Sequence, residues 1–350
     1  MPPPLRAAVI GCGAIAYEHL PFLAASPLAE LVAVCDRSPA LAQAAAERFG
    51  PARVFTDMGA MLADMRPDVV HVLTPPQTHD QIVRAALTAG AHVICEKPMA
   101  ATEAETAALL DAAAQAGRVL VESRNLLWND PMLQLGRMVR DGELGRVVEC
   151  DLLMTVDFLA GPFGDPNLAG PSVALPGGAV HDFLPHLVFA FQALTGARET
   201  RDLRGFLMNR SGNPRVGFDF LDVLVDAGTA RGRLRLAADA YPAAFEIVVR
   251  GTKGTVSTDI YNPFLLVAGD AHVGKRAPLG LIGHGGRLMR AGVRNLRDKI
   301  MQHGPMHGMA RMLEANYQAL RAGDPPPIRP EDMLASARLC DRVIALGERP

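Results

Sequence analysis

Along the first 123 residues, short apolar runs alternate with stretches in which apolar positions recur every three or four residues. The runs at 5–10, 31–35, 53–55, 69–73, 92–95 and 119–122 predict strands, and the segments 17–25, 40–49, 58–65, 81–89 and 103–116 predict helices. Strands alternating with helices of this length argue a doubly wound parallel sheet, an α/β Rossmann arrangement whose ligands lie at the C-terminal strand ends. After residue 123 the texture changes. A helix at 131–140 leads to a strand at 147–158, and long strands are expected at 203–210, 218–226, 230–240, 245–250 and 254–258. Some alternate strictly, with Arg231, Arg233 and Arg235 set against Leu234 and Leu236, so one face is polar and the other packed. A helix interrupts them from about 176 to 195, and closing helices are expected at 306–322 and 331–346. The stretch 269–292, rich in glycine and arginine, reads as a basic loop or lid.

At 350 residues the chain exceeds one ordinary core. The expected division is an α/β domain at 1–123, a strand-rich α+β domain at 124–330, and a C-terminal helix at 331–350 packing back on the first domain. Hydrophobic residues make up 49% and charged residues 21%, which is globular. The net charge of −2 gives no electrostatic reason to expect nucleic acid or an anionic membrane as a partner. No apolar run is long enough to span a bilayer, and the start lacks the apolar core of a signal peptide. Cys12, Cys35, Cys95, Cys150 and Cys340 form no C-x-x-C pair, so reduced thiols in a cytoplasm fit best.

The chemistry gathers at the expected strand ends. Gly11-Cys12-Gly13-Ala14-Ile15-Ala16 sits between a strand and a helix, where glycines let a pyrophosphate approach the backbone at a helix N-terminus. Asp36 ends the second strand, placed to accept hydrogen bonds from adenosine ribose hydroxyls and to repel a 2′-phosphate, so NAD is expected over NADP. Arg37 beside it could stack on adenine or partly neutralise such a phosphate. Only four of the 35 basic residues are lysines, and Lys97 is the only one in the first 252 positions. A compact ammonium with an adjustable pKa suits acid/base or carbonyl-polarising chemistry, and Glu96-Lys97-Pro98 follows a buried-type strand. Asp182 and His186 are four apart and share a helical face. His181, Asp182 and His186 lack a further ligand of usable spacing, so no metal is expected.

Taken together, Gly11-x-Gly13-x-x-Ala16, Asp36, Thr74-Pro75-x-x-x-His79 and Glu96-Lys97-Pro98 resemble the Gfo/Idh/MocA family of NAD(P)-dependent oxidoreductases. The resemblance is strong over 5–150 and thinner beyond, and it makes 1–123 a dinucleotide-binding Rossmann domain and 124–330 a substrate-binding α+β domain with an open mixed sheet. It implies a cofactor site made by Gly11, Gly13, Ala14, Ile15, Ala16, Asp36, Arg37, Thr74, Pro75, His79, Glu96, Lys97 and Asn125. It implies substrate contacts from Lys97, Arg124, Asp182 and His186, and a Lys97-Pro98 peptide in cis. The implied reaction moves a hydride between nicotinamide and a hydroxyl carbon of a sugar or polyol-like small molecule. His186 would act as general base or acid, Lys97 would stabilise alkoxide charge, and Asp182 would orient. The sequence departs from the family at Leu184, Pro185 and Phe189, and Pro185 is expected to kink or restart its helix. A homo-oligomer formed through the C-terminal sheet is also implied. Two other readings stand beside this one: an NAD-dependent glycoside-cleaving enzyme of the same fold, and a dinucleotide-binding regulator without chemistry.

Overall fold

The structure, a computed structural model, describes residues 3–50, 53–159, 167, 170–268, 277–301 and 307–347. Its first sheet has six parallel strands, β1 (Leu5–Ile10), β2 (Ala29–Cys35), β3 (Arg53–Phe55), β4 (Val69–Val72), β5 (His92–Cys95) and β6 (Leu120–Glu122), in the order β3-β2-β1-β4-β5-β6. The helices between them are α1 (Ala16–Ala25), α2 (Pro39–Phe49), α3 (Met58–Met65), α4 (His79–Thr88) and α5 (Glu103–Gln115). Local chemistry sets their ends. Ser38 accepts the Leu41 N–H ahead of α2, with Pro39 in the first turn and Gly50 left-handed at the C-cap. Asp57 caps α3 through the Ala60 N–H, and Thr102 caps α5 through the Glu105 N–H. The strand order reverses between β1 and β4, the point where α/β sheets open a ligand crevice.

The chain divides into two compact units. One comprises 1–125 with 309–338, the other 126–308 with 339–350. Sequence reading placed boundaries after 123 and 330; compactness instead assigns 309–338 to the first unit and returns 339–350 to the second. The second unit holds α6 (Asp130–Arg140), β7 (Val147–Thr155), α7 (Ala179–Thr195), β8 (Asp202–Met208), β9 (Phe220–Asp226), β10 (Arg231–Ala237), β11 (Ala244–Gly251), β12 (Thr255–Asp259), β13 (Leu266–Ala268) and α8 (Ala277–Ile300). Its seven-stranded sheet runs β13-β12-β11-β7-β10-β9-β8, with β7 and β10 parallel and every other pairing antiparallel.

The alternation expected in β10 is present: Leu234 and Leu236 are buried while Arg231 and Arg233 are exposed. The packed face meets α7, where Val180, Leu184, Leu187, Val188 and Phe191 are buried. The Phe191 ring lies so near Gly232 that a Cβ there would come within 2.6 Å of it. Charged pairs cross the other face, Arg233 with Asp222 at 2.6 Å and Arg235 with Asp151 at 3.2 Å. The last two helices are α9 (His307–Ala322) and α10 (Pro330–Ile344).

Two expectations are corrected. Of the kink or restart expected at Pro185, the restart is the part overturned: α7 runs from Ala179 to Thr195 with the proline inside. The burial of Leu184, Leu187 and Val188 around it offsets the one backbone bond it removes. The second correction concerns 269–292. From Ala277 this segment is helix, where a content of five glycines reads as loop by composition; residues 269–276 lie outside the described residues.

Candidate functional site

Loops at the C-terminal ends of β1, β2 and β4 line a cleft of about 430 Å³, within the usual size of small-molecule sites. Gly11, Gly13, Asp36, Arg37, Thr74 and Pro75, six of the residues expected at a cofactor site, border it. Thr56, Asp57, Met58, Thr78 and Gln81 border it as well and carried no motif to announce them. The two glycines are needed for different reasons. Gly11 sits at φ 96°, and a Cβ there would fall 2.7 Å from the Leu73 carbonyl carbon. A Cβ on Gly13 would meet no protein atom within 4 Å, so the space it leaves faces the cleft.

The Asp36 carboxylate is fixed before any ligand arrives. Its Oδ2 accepts the Cys12 N–H at 2.7 Å and its Oδ1 accepts the Ser38 N–H at 2.8 Å, which ties the glycine loop to the end of β2. A carboxylate has about four lone-pair positions, so acceptor capacity remains for a ribose. At the start of α1, Ile15 supplies no side-chain cap, a helix end suited to an anion. Ala14 is exposed there, Ile15 half-buried and Ala16 buried.

Lys97 follows β5 in a turn braced from three directions. The Lys97-Pro98 peptide is cis, as expected. Glu96 accepts the Lys97 N–H at 3.2 Å, and Glu122 accepts the Met99 N–H at 3.0 Å. The His79 ring bridges the third side, 2.8 Å from the Thr74 carbonyl and 3.1 Å from that of Pro98. Lys97 itself is half-buried. Of the residues expected from the sequence at the cofactor, Ala14, Ile15, Ala16, His79, Glu96, Lys97 and Asn125 are not among those bordering the cleft, nor is Arg124. His79 is 1% exposed. The buried Arg124 guanidinium donates to Glu122 at 2.9 and 3.1 Å and to the Asp332 carbonyl at 3.3 Å, so it holds the carboxylate that holds Met99. Asn125 is buried at the start of a 3-10 turn.

Sequence reading missed a buried chain behind Glu96. Glu96 Oε1 lies 3.0 Å from His19 Nε2, His19 Nδ1 lies 2.9 Å from His71 Nδ1, and His71 Nε2 lies 2.9 Å from the Tyr317 hydroxyl. Burial and the neighbouring His19 push His71 well below the ordinary histidine range, and burial pushes the Tyr317 phenol up. Although its burial opposes ionisation, Glu96 is held below the ordinary carboxylate range by its hydrogen bond and charge interaction with His19. One arrangement uses a single proton per bond: Tyr317 donates to His71, His71 Nδ1–H to His19, and His19 Nε2–H to the Glu96 anion. The available signal was His71 inside an apolar strand, since a buried imidazole requires partners.

A pH dependence of stability follows from these groups. His71, His79 and His92 are all lowered by burial, so between their folded values and the unfolded value of about 6.5 the unfolded chain binds more protons. Their contribution is complete above pH 6.5 and is lost as pH falls. Glu96, also lowered, adds to the loss below the unfolded carboxylate range. Denaturant titration should show stability falling with acid from pH 6.5, at up to about 1.4 kcal/mol per pH unit for each such histidine. His71→Asn should lower stability at pH 8 and flatten the slope; an unchanged slope would show that His71 does not titrate on unfolding.

In the second unit, Asp182 lies in the first turn of α7 and His186 one turn later; both are half-buried. The His186 ring makes an edge contact with Phe189, centroids 6.4 Å apart. His181 is buried and its Nδ1 accepts the Gly177 N–H at 3.3 Å, an anchor for the helix start. Among the described residues no group of three or more His, Cys, Asp or Glu side chains could hold a metal ion.

Comparison with known proteins bears on the first unit most directly. A family model described as "Oxidoreductase family, NAD-binding Rossmann fold" matches residues 5–123. The chain is 40% identical to a D-glucoside 3-dehydrogenase of Escherichia coli (strain K12), over 41% of this chain and 41% of that protein's length. It is 26% identical to the uncharacterized oxidoreductase ORF334 of Rhizobium meliloti, over 99% and 97% of the two chains. The fold matches the WlbA dehydrogenase from Bordetella pertussis, solved with NADH and UDP-GlcNAcA, at TM-score 0.81 and 20% identity over 99% and 96% of the two chains. Residues 5–123 therefore match the Gfo/Idh/MocA oxidoreductase family in its NAD-binding Rossmann domain.

Proposed function

We propose that this protein is an NAD-dependent dehydrogenase acting on a CH–OH group of a sugar, polyol or related small molecule. The carrying observation is the braced Lys97 turn, linked through His79 to Thr74, which itself borders the dinucleotide cleft. Gly13, Asp36 and the uncapped start of α1 fit a dinucleotide pyrophosphate and ribose. When bound, the nicotinamide supplies the acceptor or donor of a hydride. The chain's own part is to bind, orient and move a proton. Lys97 donates to the reacting oxygen and stabilises the alkoxide charge that develops there. His186 takes the proton in oxidation and returns it in reduction, and Asp182 orients the proton-bearing group. The named relatives support a carbohydrate substrate, since one acts as a D-glucoside 3-dehydrogenase and another was solved with a UDP-sugar.

A panel of sugars, inositols and sugar nucleotides, screened with NAD⁺ for the absorbance of NADH, tests the reading. At least one should give a rise that needs the intact protein. Substrate consumed with a cleaved glycosidic bond and no net absorbance change would assign the glycoside-cleaving reaction instead, and binding without conversion across the panel would leave a regulator.

Cofactor preference makes a separate prediction. NADH should bind at least about tenfold tighter than NADPH, because Asp36 borders the cleft and its carboxylate would repel a 2′-phosphate. Asp36→Asn should narrow the gap. Fluorescence titration of both cofactors decides it, and tighter NADPH binding to the parent protein would overturn the assignment. Five free, buried cysteines support a reducing cytoplasm as the working compartment. The open face of the seven-stranded sheet, where Phe206, Met208 and Leu224 are exposed, is the surface for a homo-oligomer.

A further inference from the structure

The helix α8 is built unlike the rest of the chain. Leu279, Ile282, Met289, Val293, Leu296 and Ile300 follow one another at steps of three, seven, four, three and four, which places them on one helical stripe. All six are between 61% and 72% exposed. A different face leans on the second unit through polar contacts: His284 approaches the Val267 carbonyl at 3.0 Å and Asn295 donates to that of Pro263 at 2.9 Å. The helix therefore binds its own domain with polar groups and turns its apolar side outward.

Its charge is equally one-sided. Over Ala277–Ile300 the sequence holds four arginines and Lys299 against a single carboxylate, Asp298. At 100° per residue, Arg287, Arg290, Arg294 and Arg297 form a row along one flank of the apolar stripe; all four are exposed, while Arg287 also donates to the Val267 carbonyl at 3.4 Å and Arg294 borders a small pocket with Asp130. The whole-chain charge of −2 conceals this segment. Gly280, Gly283, Gly285, Gly286 and Gly292 add a third observation. No protein atom stands within 4 Å of where a Cβ on any of them would lie, so packing within the chain does not require them. Each costs roughly 1 kcal/mol of helix propensity relative to alanine. A helix so weak by propensity and bare along its apolar side needs a surface that covers it.

We propose that α8 docks in the plane of an anionic lipid surface, its stripe entering the headgroup boundary while the arginine row meets the lipid phosphates. An exposed apolar stripe flanked by arginine on a helix of 24 residues is the physical pattern of an interfacial helix. No helix among the described residues is long and apolar enough to cross a membrane, so this attachment lies on the surface. A second copy of the helix is the poorer occupant. Antiparallel self-pairing would set one arginine row against the other, with only Asp298 at the end of each helix to offset four arginines.

Co-sedimentation of the full-length protein with lipid vesicles tests this. Vesicles of phosphatidylcholine mixed with phosphatidylglycerol should bind at least about tenfold better than phosphatidylcholine alone, and added salt should erase most of the difference. The double variant Met289→Asp/Val293→Asp should lose sedimentation with both vesicles. Arg290→Gln/Arg294→Gln should bring anionic binding down towards the phosphatidylcholine level. Because these side chains are exposed, thermal unfolding and NADH titration of the variants should match the parent, which separates loss of docking from loss of fold. Two results would overturn the proposal: vesicle binding that ignores these substitutions, or no vesicle binding together with a soluble oligomer that Met289→Asp/Val293→Asp dissociates. The latter would assign the stripe to a second copy.

Discussion

Lys97→Ala should lower kcat by about 10²–10⁴ on whichever substrate the panel identifies, the range for a lost charge-stabilising donor or proton-transfer group. NADH affinity should stay within a few-fold, because Gly11, Gly13, Asp36 and Thr74 border the cleft and Lys97 does not. The fold should survive as well. The bracing bonds come from the Lys97 and Met99 backbone and from the His79 ring, none of which the substitution removes. Lys97→Arg should fail nearly as badly, since a planar fork cannot reproduce a compact ammonium at one reacting oxygen. Steady-state kinetics beside an NADH titration separate the effects. A Lys97→Ala protein that turns over within threefold of the parent would remove Lys97 from the chemistry, and equal losses in kcat and NADH binding would make it a cofactor contact.

The contrast between what was legible in the chain and what was not has a physical basis. The parallel sheet was legible because its strands are short apolar runs and α2, α3 and α5 carry their own caps, as at Ser38 and Asp57. Asp36 and Gly11 were legible because they act on backbone near them in sequence or on the adjacent strand end. His19, His71 and Tyr317 were not, since the chain joins residues up to 246 apart and no local pattern records such a meeting. Arg124 is a further case: the family resemblance implied a substrate contact there, and no local pattern announced its buried pairing with Glu122, two residues away. In α8 the glycines broke the compositional signal of a helix while leaving its spacing of apolar positions intact. Periodicity was the better guide than composition there, and net charge was the poorer guide to surface chemistry.

Gly11→Ala should destabilise the first unit by about 2–5 kcal/mol, combining the strain of a side chain at positive φ with overpacking against fixed backbone. The new Cβ would stand 2.7 Å from both the carbonyl carbon and oxygen of Leu73, at the end of β4, where neither atom can move without disturbing the sheet. Against a whole-domain stability of roughly 5–15 kcal/mol, such a loss is a large fraction. Gly13→Val should behave oppositely. No protein atom lies within 4 Å of its Cβ position and its φ is not positive, so denaturant midpoints should move little while NADH affinity falls at least about tenfold. The pair of measurements distinguishes a glycine required by the protein from a glycine required by the ligand. Unchanged stability in Gly11→Ala would mean the β1 loop can shift away from β4. Parent-like NADH binding in Gly13→Val would mean the pyrophosphate does not pass over Gly13, and the start of α1 would lose its place as the anion site.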